Sequence, residues 1–126
     1  MWKLLSTNGP VSARLKSNDV YDLVTDGSGN IWVGTYTEGI MICNLLKSNY
    51  RIDQHESGNA QTIINNHVNA VLVDRRQNLW YATDDGLSIC SPGGVWRHLY
   101  RGKVFLTLCQ GTGYNVWTGS YGEGLW

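Results

Sequence analysis

One six-residue pattern occurs three times in this chain: Asn30-Ile31-Trp32-Val33-Gly34-Thr35, Asn78-Leu79-Trp80-Tyr81-Ala82-Thr83 and Asn115-Val116-Trp117-Thr118-Gly119-Ser120. Each copy follows an alternating apolar segment and precedes a Gly-aliphatic pair, Gly39-Ile40, Gly86-Leu87 or Gly124-Leu125. The recurrence therefore covers a whole structural unit. Trp32 and Trp80 are 48 residues apart, and Trp80 and Trp117 are 37 apart. A period of roughly 40–50 residues centred on a Trp strand fits β-propeller blades better than helical solenoids, whose periods are mostly shorter and whose apolar residues recur every 3.6 positions.

Aligned on the Trp, each unit reads as a four-stranded antiparallel sheet. The first strand is Val20-Tyr21-Asp22-Leu23-Val24, then Val68-Asn69-Ala70-Val71-Leu72-Val73, then Phe105-Leu106-Thr107-Leu108-Cys109, all rich in β-branched and apolar residues. A five-residue connection closes on Asn30, Asn78 or Asn115, the residue type expected where a hairpin loop needs tolerance of positive φ. The Trp strand follows, with Trp32, Trp80 and Trp117 expected in equivalent, mostly buried positions. The small residue two places on (Gly34, Ala82, Gly119) is expected to admit a close neighbour. The third strand starts after the repeat Gly. The fourth pairs an aromatic with a basic residue: Trp2-Lys3-Leu4, Tyr50-Arg51-Ile52 and Trp96-Arg97-His98-Leu99. The order is thus fourth, first, second, third, in units running approximately over 1-48, 49-95 and 96-126. The expected fold is all-β, about three four-stranded sheets forming a partial propeller or half of a six-bladed assembly. In the latter, the strand at Trp2 would complete a unit ending at Trp126.

Composition narrows the function. Ten basic and ten acidic residues leave no footprint for nucleic acid or an anionic membrane surface. No apolar run approaches the ~20 residues of a spanning helix, and the first residues lack the charged-then-apolar pattern of a signal peptide. Of the three Cys, Cys43 and Cys90 occupy equivalent positions of successive units, too far apart for a disulfide's Cα separation. Cys109 takes the place of Val24 and Leu72, which reads as a small buried apolar residue.

The Ser/Asn-Asn-x-Val lead-in, the Asp-Gly-type turn, the N-[IL]-W-[VY]-[GA]-T strand and the following Gly-[IL] together resemble the two-component regulator propeller repeat. Ser17-Asn18-Asp19-Val20 through Ile40 and Asn65-Asn66-His67-Val68 through Leu87 match well. The third copy departs, with Gly111 where the pattern has Asp and no Asn-Asn lead-in before Phe105. The resemblance implies the periplasmic sensor region of bacterial, often hybrid, histidine-kinase systems, with many such repeats and a link to carbohydrate breakdown products.

Antiparallel alternation puts the connection from strand two to three, and the one from four to the next first strand, on the same side of the sheets. That side is the candidate ligand face. It carries Tyr36 and Glu38, Asp84 and Asp85, Tyr121 and Glu123, and, in the long connection from Asp53 to Asn66, His55. A Tyr beside a carboxylate offers a ring for the C–H face of a sugar and an acceptor for its hydroxyls. Ordinary polar turns are the competing reading. His55 and Glu56 are neighbours in a polar stretch without a third partner, which favours a solvated loop over an acid–base pair. Three scattered His form no metal motif, and no phosphate-cradling Gly loop, nucleophile elbow or Cys-x-x-Cys pair occurs. No cofactor and no catalytic residue are expected. A non-enzymatic binding module leads. The alternatives are a structural or protein-interaction propeller and a metal-dependent propeller lyase, for which only His55 is suitably placed. Expected partners are an oligosaccharide, a histidine kinase by resemblance, and either further propeller repeats or a second copy of the chain.

Overall fold

Short β-rich segments separated by Gly, Asn and Asp give eleven strands and no helix among the residues that the computed structural model describes, 5–8, 14–44 and 49–126. Strands β1 (Val20–Thr25), β2 (Ile31–Thr35), β3 (Ile40–Asn44) and β4 (Asn49–Asp53) form one antiparallel sheet in chain order. Strands β5 (Val68–Val73), β6 (Leu79–Thr83), β7 (Gly86–Cys90) and β8 (Trp96–Leu99) form the second in the same order. The third holds β9 (Phe105–Gln110), β10 (Val116–Ser120) and β11 (Gly124–Leu125). These are three propeller blades, as the repeat predicts. The expected strand at Trp2-Lys3-Leu4 lies outside the described residues.

Equivalence between blades holds at the level of single hydrogen bonds. Val24 pairs with Trp32, Leu72 with Trp80 and Cys109 with Trp117. The last residue of each hexapeptide donates its hydroxyl to the carbonyl of the repeat Gly: Thr35 to Gly39, Thr83 to Gly86 and Ser120 to Gly124, at 2.9, 2.8 and 2.9 Å. A hydroxyl is therefore required there. Gly39 and Gly86 sit at φ 71° and 112°, and a Cβ on either would lie 2.4 or 2.6 Å from a fourth-strand carbonyl, that of Asp53 or Leu99. One residue near the start of each first strand, Tyr21, Asn69 or Leu106, is skipped by the pairing register, a β-bulge that the repeat pattern did not reveal.

The turn before each Trp strand is organised by a carboxylate. Asp74 accepts from the backbone N–H groups of Arg76 and Asn78 through Oδ1, and from the Asn78 amide and the Trp80 indole N–H through Oδ2, at 2.8–2.9 Å. Asp26 makes the same four bonds, with Ser28, Asn30 and Trp32. In these two copies the Asn closing the loop serves through its amide. Positive φ falls instead on the preceding residue, Gly29 at 80° and Gln77 at 66°, which corrects the expectation for Asn30, Asn78 and Asn115. Burial alone would raise both carboxyls, but the side-chain and backbone donors outweigh it and hold Asp26 and Asp74 below their ordinary pKa.

Blades stack through alternating side chains. Ile40 and Ile42 of β3 join Val68, Val71 and Tyr81 of the second blade and Ile63 of the connection, with Trp32 and Trp96 packed against them. Ala70, Ala82, Leu87 and Phe105 make the seam between the second and third blades, flanked by Trp80. A Cβ at Gly34 would lie 2.8 Å from Val68 Cγ1, so the small residue of the repeat admits the next blade's first strand. Trp32 and Trp80 are half-buried rather than buried. Trp117 is 46% exposed and Cys109 is exposed, contrary to expectation, because among the described residues no blade covers the sheet face they share. Where Asp26 and Asp74 have their equivalent stands Gly111, and the Trp117 Nε1 lies 2.6 Å from where a Cβ would be. All three Cys are free, and burial pushes the thiols of Cys43 and Cys90 up, away from nucleophilic character.

Two stability outcomes are expected. Gly39→Ala combines a left-handed backbone with a carbonyl clash and should cost ~1–3 kcal/mol, whereas Gly27→Ala, with open space around it, should leave stability unchanged or raise it by up to ~1 kcal/mol; urea denaturation of both variants compares them. Asp74→Ala should cost at least ~1.5–3 kcal/mol, since charge-assisted bonds are lost and their donors stranded. A carboxyl with a lowered folded pKa gives stability that is complete above its unfolded value and lost as pH falls through the folded one. Asp74→Asn should therefore lower the midpoint at neutral pH and flatten the acid limb of its pH profile.

Candidate functional site

The β2–β3, β6–β7 and β10–β11 turns and the 54–67 and 100–104 connections emerge on one side of the blades, as antiparallel order requires. The three turns are built alike. Their first residue, Tyr36, Asp84 or Tyr121, donates its backbone N–H to the residue before the first strand, Asp19, His67 or Val104, at 3.1, 3.3 and 2.8 Å. Each candidate side chain is thereby anchored on a rigid corner.

The face gathers some of the candidates and separates others. Tyr36 packs edge-on against His67 with ring centroids 4.1 Å apart, and Tyr21 lies 5.5 Å from both. His67 Nδ1 is 2.9 Å from Asp84 Oδ2, while Asp84 Oδ1 accepts from the Asn69 amide at 2.8 Å. Tyr36 of the first blade and Asp84 of the second are therefore joined across the seam through His67. Tyr21 and Tyr36 remain 50% and 42% exposed, so the aromatic cluster is open to a ligand. Tyr21 and His67 were not singled out by the sequence. Tyr21 sits on the bulge, where its equivalents are Asn69 and Leu106, and His67 replaces Asp19, so neither position repeats.

The other carboxylates are tied to cations. Glu38 accepts from Gln54 at 3.0 Å and lies 3.4 Å from Lys16. Asp85 accepts from Arg101 Nε at 3.2 Å and from the Gly102 N–H at 2.8 Å. Glu123 pairs with Lys103. Exposed pairs of this kind are worth ~0–1 kcal/mol, so a ligand hydroxyl or cation competes with them at little cost. Tyr121, 75% exposed, stands apart from the Tyr36 cluster on the third blade. His55 is exposed and fixed in its own connection, its N–H on Asn66 Oδ1 and its Nδ1 2.9 Å from the Ile63 carbonyl. His98 is likewise engaged, between Ser88 Oγ and the Ala60 carbonyl at 3.0 Å each, which clasps the long connection to β7. Among the described residues no three of His, Cys, Asp and Glu converge as metal ligands would, and none lies in a helix long and apolar enough to cross a membrane.

Residues 14–37 match the family model described as "Two component regulator propeller". A search of curated protein sequences finds no match. Among solved structures, the extracellular domain of BT3049, described as a hybrid two-component system of B. thetaiotaomicron, superposes with a TM-score of 0.79 at 19% identity, over 88% of this chain and 17% of that one. The corresponding domain of BT4673 gives 0.71 at 22% identity, over 88% and 15%. A virginiamycin B lyase from Staphylococcus aureus gives 0.64 at 12% identity, over 91% and 36%. At such identities the likeness is one of fold, and this chain spans 17% and 15% of the two extracellular domains. The chain is built of β-propeller blades, and residues 14–37 carry a two-component regulator propeller repeat set in the fold that those extracellular domains display.

Proposed function

We propose that this chain is a ligand-sensing propeller segment from the periplasmic part of a bacterial two-component signalling protein, non-enzymatic, with a glycan-derived ligand on the loop face and a histidine kinase as its downstream partner. The observation that carries the reading is the open Tyr21–Tyr36–His67 cluster joined to Asp84 across the seam of two blades. It combines aromatic faces with fixed polar acceptors, the chemistry a sugar ring needs. The matched repeat and the extracellular domains of like fold support the signalling context. Calorimetric titration with a panel of oligosaccharides should find one that saturates. Affinity should fall at least ~10-fold in a Tyr36→Ala, Tyr121→Ala double variant, since stacking rings dominate such contacts. Unchanged affinity would remove both residues from the site.

A second reading concerns what covers the sheet ends. Leu23 is 58% exposed, although its equivalents Val71 and Leu108 pack between blades, and Leu106, Trp117 and Leu125 are 42%, 46% and 70% exposed on the third blade. Apolar faces of this kind support stacking against further propeller repeats or a second copy. Light scattering across concentrations distinguishes the two. A discrete species of twice the 14.1 kDa chain supports the closed dimer, and a monomer or polydisperse aggregate rules it out.

A further inference from the structure

A groove of about 290 Å³ separates the first and second blades on the β4 side of the seam. One wall is aromatic, made by Trp32, Tyr81 and Trp96, with Tyr81 and Trp96 stacked at 5.7 Å and 24°. Polar residues line it as well, among them Arg51 and Asp53 of β4 and Gln61 of the long connection. Arg51 and Asp53 are held in place by their mutual bond at 3.1 Å and by the guanidinium's position 5.9 Å from the Trp32 ring. The groove's lining is thus amphipathic.

Tyr81 sets this groove apart. Its side chain is wholly buried, and its hydroxyl is the one buried side-chain polar atom among the described residues that has no hydrogen-bond partner. Buried hydroxyls are otherwise paired, and an exception calls for a group that the protein itself does not supply. Burial foremost, then the fields of Cys90 and Asp53, hold the hydroxyl well above its ordinary pKa, so it is protonated and can both donate and accept. Tyr81 itself lines the groove, together with Cys90, Asp53 and Arg51. At the equivalent position the third blade has Thr118, whose hydroxyl is satisfied by the Thr107 carbonyl at 2.8 Å. The longer Tyr side chain carries its oxygen beyond any such strand carbonyl.

We propose that this inter-blade groove is a second ligand site, distinct from the Tyr21–Tyr36–His67 cluster, which takes a single small polyhydroxylated ring. The ring's C–H face lies on the aromatic wall, one of its hydroxyls pairs with Tyr81, and the others meet Asp53 and Gln61. A ring with hydroxyls only along its edge fits a lining that is part aromatic and part polar. A fully apolar ligand would strand the Arg51–Asp53 side, and a fully polar one would gain nothing from Trp96. The site does not depend on whether the loop face binds an oligosaccharide.

The test is calorimetric titration of the chain with D-glucose, D-galactose, D-xylose and myo-inositol. At least one should saturate with a Kd of about 1 mM or tighter. Tyr81→Phe should weaken it at least ~10-fold, the effect of leaving a ligand hydroxyl without its partner. Without ligand, that variant should melt no lower than wild type, because the hydroxyl it removes had no partner. Gln61→Ala, on the exposed wall, should weaken binding several-fold with no effect on folding, and Tyr36→Ala should leave it unchanged. The proposal is overturned if no probe saturates or if Tyr81→Phe binds as tightly as wild type. It is equally overturned if unliganded Tyr81→Phe is destabilised, or if Tyr36→Ala abolishes ring binding.

Discussion

Each well-formed blade depends on one carboxylate. Asp26 and Asp74 each gather two backbone N–H groups, an Asn amide and a Trp indole, so a single side chain fixes the turn, the entry of the Trp strand and the rotamer of its largest residue. The indole, once tethered, packs along the seam with the next blade: Trp32 against the Ile42 and Tyr81 cluster, Trp80 against Ala82 and Phe105. Local turn chemistry and long-range stacking therefore share one fixed point. The third copy shows the consequence of losing it. With Gly111 in place of Asp, the Trp117 indole lies over the bare backbone; the Gly111 N–H still bonds the Asn115 carbonyl, as those of Asp26 and Asp74 bond the Asn30 and Asn78 carbonyls, and the Gln110 amide adds a bond to the same carbonyl.

Stacking imposes the next constraint. Strand β3 sends Ile40 and Ile42 into the seam with the second blade and Met41 and Cys43 to the opposite face, so this strand is buried on both faces. Gly34 then sets how near β5 can come, because Val68 occupies the space a Cβ would fill. Polar bonds across the seams fix the stagger. Asp22 accepts from the Val71 N–H at 3.0 Å, and Asn69 donates to the Phe105 carbonyl at 2.9 Å. Apolar packing alone is non-directional, so these few bonds decide how one blade is rotated on the next.

Strands, their order and the shared face of the turns were legible because they depend on local alternation and on residues repeated three times. The hydroxyl and Gly of each corner repeat for the same reason. Asn30 and Asn78 were visible as a pattern but misread, since an Asn at a turn serves equally for positive φ or for its amide, and only the position of the Asp carboxylate decides. The exposure of Trp117 and Cys109 was not legible, because burial of a blade face is a property of its neighbour. Tyr21 and His67 were missed for a related reason: they meet across 46 residues of chain at positions where the repeat does not repeat. Reading a repeat finds the scaffold. The individuality of a site lies in what departs from it.

That division has a physical consequence for binding. The aromatic cluster of Tyr21, Tyr36 and His67 and the groove at Tyr81 both draw residues from the first and second blades. Within one blade, side chains are held by a hydrogen-bonded ladder and have little freedom to respond. Between blades they are held by packing and a few polar bonds, the weaker set of restraints. A ligand touching both walls of a seam adds its binding free energy to that set and stabilises one stagger over others. A contact confined to one blade gives no such differential. If the proposed sites bind ligand, seam residues that break the repeat, such as Tyr21, His67 and Tyr81, are therefore where its chemistry would be converted into a change in how the blades sit together.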